Sequence, residues 1–84
     1  MPYIKQEARK GLNTISEYSS AAPANAGELQ YVFAILIKGY LGSEYRYQDL
    51  NDVMGALAGA QMEFYRKVVA PYEDKKIAEN GDVY

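Results

Sequence analysis

The stretch "LQYVFAILIKGYL", residues 29–41, most constrains what this chain can fold into. Leu29, Val32, Phe33, Leu36 and Tyr40 recur at helical spacing and form one apolar face. Ile35, Ile37 and Leu41 carry that face around the cylinder, and only Gln30, Ala34 and Lys38 leave a polar strip. A helix this apolar is expected to be buried on most sides. The chain has only 84 residues with which to cover it, near the size at which a single core only just offsets chain entropy. The expectation is one all-α domain over residues 1–84, a three-helix bundle that associates with copies of itself.

The start and end of this helix are legible. Asn25, followed three residues later by Glu28, has the form of a capping box, and Gly42 is a natural stop. Upstream, Ile4, Ala8, Leu12 and Ile15 lie at helical spacing. Gly11 interrupts them and Asn13 is a good cap, so the pattern predicts a short turn near 5–10 and a second helix over about 13–21. "SSAAPANAG" reads as the loop between helices.

The third helix is expected to start at Asp49 or its neighbour, with Asp52 in its first turn at the positive end of the helix dipole. Leu50, Val53, Met54, Leu57, Phe64, Tyr65, Val68 and Tyr72 then fall on one face that runs through Pro71. The proline predicts a kink, and Gly81 a stop. Gly55, Ala56, Gly59 and Ala60 put small residues on another side. Glycine inside a helix costs about 0.5–1 kcal/mol relative to alanine. Close approach of a second backbone would justify that cost, so Gly55, Gly59 and Met62 are the expected oligomer interface.

Composition narrows the chemistry. Cysteine and histidine are both absent. Disulfides, thiolate metal sites and the commonest neutral-pH base and metal ligand are therefore excluded. The carboxylates sit at ion-pair spacing, as in Glu63 with Arg66 and Lys67. The expectation is a non-enzyme with no metal and no cofactor. Nine basic against eleven acidic residues, a net charge of −2, argue against long nucleic acid. No apolar run reaches the roughly 20 residues that span a bilayer, and "MPYIKQEARK" lacks a signal-peptide core. A cytoplasmic protein without membrane contact is expected.

The ring content stands out: nine tyrosines and two phenylalanines without tryptophan. Tyrosine suits interfaces and pockets because it buries a ring while keeping a polar handle. Rings and cations recur together as Tyr65, Arg66 and Lys67 with Tyr72, and as Tyr3, Lys5 and Arg9. These seven residues are the candidate ligand site, since rings stack on planar groups and a guanidinium grips phosphate or carboxylate in a two-pronged fashion. Glu63 and Glu73 are expected to hold Arg66, and Tyr72 to close over the same spot. Arg46, between Tyr45 and Tyr47, reads instead as an exposed cation–π and ion-pair partner.

The opening "MPYI" with Arg9, "GEL.YV" at the second helix, Gly55 and Leu57 in the third, and above all "EFYR", "VVAPYEDKKI" and "ENGDVY" resemble a family of small, functionally uncharacterised proteins encoded mainly by bacteriophages. The resemblance spans nearly the whole chain. "ALAGAQM" stands where relatives carry a bulkier, more acidic segment, and "GLNT" where an Asp-Pro helix start is common. The resemblance implies a host bacterial cytoplasm as the setting. The expected function is a binding protein that sequesters a small anionic, nucleotide-derived immune signal of the host without catalysis. The alternative is a protein–protein module, a host-takeover factor docking on a bacterial protein. Convergence of Tyr65, Arg66 and Tyr72 with Lys5 or Arg9 into a closed pocket favours the first; a flat exposed tyrosine patch favours the second.

Overall fold

A computed structural model describes residues 4–17 and 22–84. The described chain is all-α, without strands: α1 (Gln6–Glu17), α2 (Ala26–Leu41), α3 (Tyr47–Phe64), a π-helical turn (Tyr65–Val69) and α4 (Ala70–Asn80). The last three join end to end, so the architecture is three helical rods, as the sequence periodicity predicts. Residues 47–80 at about 1.5 Å each span about 50 Å, which matches the 51 Å long dimension of the molecule.

The caps explain the boundaries. The Asn25 side chain accepts from the Glu28 amide at 2.9 Å, and Glu28 Oε1 accepts from the Ala24 amide at 3.0 Å. The glutamate thus reaches one residue further back than in the usual capping box, and both orphan donors are satisfied. Gly42 closes α2 with φ 66° and ψ −157°, donating to the Lys38 carbonyl at 3.0 Å. The third helix starts earlier than expected, at Tyr47, because Asp49 accepts from the Arg46 amide at 2.9 Å. Asp49 therefore holds the first turn, and Asp52 lies beyond it, accepting from Gln48 Nε2 at 2.9 Å.

Two expectations about helix continuity need correction. α1 runs unbroken through Gly11, where a break was predicted. Its twelve residues keep the Ala8–Leu12–Ile15 stripe in register, and an added Cβ at Gly11 would meet nothing. The residues predicted to extend this helix to position 21 lie partly outside the described ones.

The second correction concerns the proline. In an unbroken α-helix the Lys67 carbonyl would need the missing Pro71 N–H and would collide with its ring. The chain widens instead: the Ala70 amide reaches back to the Tyr65 carbonyl, an i→i−5 bond. Such a turn inserts one extra residue, which rotates everything downstream by about 100° relative to a plain helix. The stripe drawn through Phe64 to Tyr72 is therefore not one straight line.

Packing departs most from expectation. No described side chain is buried. Val32, Ile37 and Leu41 of α2 and Val53 of α3 reach only half-burial, where α2 and α3 pair across the short 42–46 turn. α1 packs on no other described helix. The α2 helix that should be covered on most sides leaves Phe33, Ile35 and Leu36 half-exposed. The radius of gyration is 16.6 Å, against about 12 Å for a compact chain of this length.

Candidate functional site

Three of the expected site residues, Tyr65, Arg66 and Lys67, lie in the π-helical turn, and Tyr72 opens α4 just beyond Pro71. Widened turns of this kind often mark functional positions because they re-aim side chains. Here Tyr65 borders both the groove along α4 and the recess that holds Arg66, whereas Tyr72 lines the groove.

Tyr65 turns toward α4. Its hydroxyl donates to Glu73 Oε1 at 2.6 Å, a short charge-assisted bond. That bond raises the Tyr65 phenol above its ordinary pKa, with the negative charge of Glu73 adding to the effect. Glu73 is therefore engaged by Tyr65 and not by Arg66, contrary to the sequence expectation. Tyr72 lies under the Lys76 ammonium, 5.5 Å from the ring centroid, within cation–π range, and does not close over Arg66.

Tyr65, Tyr72, Ile77, Val83 and Tyr84 line an open groove along α4 and the chain end. Its polar members include Glu73, Asp74 and Asp82 against Lys76, so the groove is acidic. Sequence reasoning missed Tyr84, Val83 and Lys76 as members. The signal available was the i, i+4 spacing of Tyr72 and Lys76. Beyond the Gly81 turn (φ 88°) the chain leaves the helix, so periodicity says nothing about where Val83 and Tyr84 go.

Arg66 lines a different recess, together with Gln61, Met62, Glu63 and Tyr65. Glu63 Oε1 lies 4.0 Å from Arg66 and 3.9 Å from Lys67. The Arg66 side chain remains 70 % exposed. One carboxylate between two cations leaves this side locally positive, the reverse of the groove behind it.

Lys5 and Arg9 line neither place. Arg9 Nε donates to the Ile4 carbonyl at 3.0 Å, so Arg9 fastens the entry to α1. The carbonyl of Lys5 accepts from Ala8 in the same turn. Tyr3 lies outside the described residues. Gly55, Gly59 and Met62 lie about 140–160° around α3 from Leu57. An added Cβ at Gly55 or Gly59 meets nothing within 4 Å, so among the described residues no backbone makes the close approach that their presence suggests.

A cleft between α2 and α3 is lined by Leu36, Ile37, Tyr40, Asp52, Val53, Ala56 and Leu57. The Tyr40 hydroxyl donates to Asp52 at 3.4 Å, and the Asp52 charge holds the Tyr40 phenol above its usual range.

Among the described residues, no group of three acidic side chains is arranged to hold a metal ion, and no helix is long and apolar enough to cross a membrane. A family model described as a domain of unknown function (DUF6899) matches residues 1–83. No curated protein and no solved structure gives a significant match.

Proposed function

The chain belongs to this family of unknown function, and we propose that it is a non-catalytic protein–protein interaction module that docks on a bacterial protein through the ring-lined groove of its carboxyl-terminal arm. The observation that carries this reading is the Tyr65–Tyr72–Tyr84 surface. It is open and exposed, and two of its rings are already held, Tyr65 by its bond to Glu73 and Tyr72 by Lys76. Tyrosines held in place before binding lose little entropy on docking and supply large contact area. The acidic rim of Glu73, Asp74 and Asp82 suits a partner that presents apolar side chains flanked by lysine or arginine. The phage-like sequence signature supplies the context of a host-takeover factor.

One observation favours the second reading, sequestration of a small anionic nucleotide-derived ligand. Arg66 offers an exposed guanidinium beside Tyr65, on the positive side of the π-helical turn. This reading needs Lys5 or Arg9 supplied by another copy, since neither lines this recess within the chain.

A benzophenone amino acid placed at position 72 and, as a control, at Gln30 separates the two. The docking reading expects position 72 to cross-link to one defined bacterial polypeptide. Titration of that purified polypeptide should then lose at least tenfold in affinity with Tyr65→Ala or Tyr84→Ala. Cross-links to copies of itself alone, together with calorimetric binding of a cyclic or ADP-ribose-type nucleotide that Arg66→Ala abolishes, would replace it with sequestration.

A further inference from the structure

We infer that a second copy of this chain covers the α2–α3 cleft, the two hairpins stacking face to face into a four-helix layer. This inference is independent of the docking groove, which lies on α4 and the chain end.

The argument begins with surface area. A compact folded monomer of this mass exposes about 5,000 Å². This chain, at 9.4 kDa, exposes 7788 Å². The excess is about 2,800 Å² per chain on that scaling. Obligate homodimers bury about 2,000–5,000 Å² in total, or up to about 2,500 Å² from each chain. One self-interface of this class takes up a large share of that excess; part of the remainder belongs to α1, which packs on no other described helix. A transient partner does not meet the requirement. With no buried side chain of its own, the hairpin needs its cover whenever it is folded, and only another copy is present in fixed ratio to it.

The chemistry of the face agrees. Leu36, Tyr40 and Leu57 are 48 %, 62 % and 40 % exposed while lining the same cleft. Leu29 and Leu50, each seven residues from a cleft leucine, prolong the two stripes and are also exposed. The charges within α2, Glu28 and Lys38, lie more than about 100° around the helix from Tyr40, so stacking need not bury them. Two helices with one apolar side form half of a layered core, and the same half from a second copy closes it around a two-fold axis. Asp52 also lines the cleft and accepts from Tyr40, so the interface takes in this carboxylate already paired with a hydroxyl.

Because the chain lacks cysteine, single-cysteine variants carry one spin label each. We expect sedimentation equilibrium of the wild type to give at least twice 9.4 kDa. Its melting temperature should rise over a hundredfold increase in concentration, as linkage requires. The dipolar distance between copies should be shorter for labelled Tyr40→Cys than for labelled Gly55→Cys, which lies on the opposite side of α3. A 9.4 kDa species with a concentration-independent melt overturns the inference. So does a shorter distance at Gly55→Cys, which would put the small-residue side at the interface. Leu36→Glu should yield a monomer or an unfolded chain. A folded Leu36→Glu oligomer also overturns it, and the wild-type measurements decide the matter if that variant fails to fold.

Discussion

Replacing Gly42 by alanine isolates what ends α2 and turns the chain into α3. Gly42 sits at φ 66° and ψ −157°, a region that is essentially glycine's alone. Holding an L-residue there costs of order 1–3 kcal/mol. Alanine also narrows the unfolded ensemble, which returns about 0.4–1 kcal/mol. A Cβ at this position meets no atom within 4 Å, so the cost is one of backbone conformation and not of collision. The net loss should be about 1–2 kcal/mol. For a domain of this size each kcal/mol moves the melting temperature by about 4–8 °C. Urea and thermal unfolding, run at one fixed protein concentration so that self-association does not shift the result, give the measurement. The mirror-image residue completes the test. D-Alanine at position 42, introduced by chemical ligation, favours positive φ and should match wild-type stability or exceed it by up to about 1 kcal/mol. If L-alanine stays within about 0.5 kcal/mol of wild type, or if D-alanine loses as much as L-alanine, positive φ is not what ends the helix.

Asn25→Ala should cost about 1 kcal/mol in urea unfolding, because the Glu28 amide loses its acceptor; an unchanged midpoint would assign the helix start to packing instead. Tyr65 should titrate above the ordinary phenol value of about 10 in ¹³C NMR, and Glu73→Gln should bring it down. Since the folded pKa is raised, the bond's contribution is full below the unfolded pKa and is lost as pH rises through the folded one. A Tyr65 curve indifferent to Glu73→Gln refutes the assignment. Arg66→Ala should leave stability within about 0.5 kcal/mol, as expected for an exposed side chain; unfolding would make Arg66 a structural ion-pair partner and remove it from any ligand site. A chelator should leave the melting curve where it is, and a lowered midpoint would reveal a metal that the carboxylate spacing does not suggest.

The sequence by itself determined the helices and most of their ends. Asn25, Gly42 and Gly81 act through hydrogen bonds and dihedral angles within a few residues, so their effect can be read without knowing what lies across the fold. The same locality misled at Gly11, where continuity of the helix ladder outweighed the propensity of one residue. The candidate site was legible only as a list of side chains. Drawing Phe64, Tyr65, Val68 and Tyr72 on one line assumes 3.6 residues per turn, and the widened turn ahead of Pro71 adds a residue to that count. This is why Glu73 meets Tyr65, Tyr72 meets Lys76, and Arg66 is left on the other side with Glu63. The apolar excess of α2 was plain from its residues. That α3 covers only part of it, and α1 none, was decided in three dimensions, because hydrophobic burial depends on which surfaces meet and a one-chain periodicity describes only one of them.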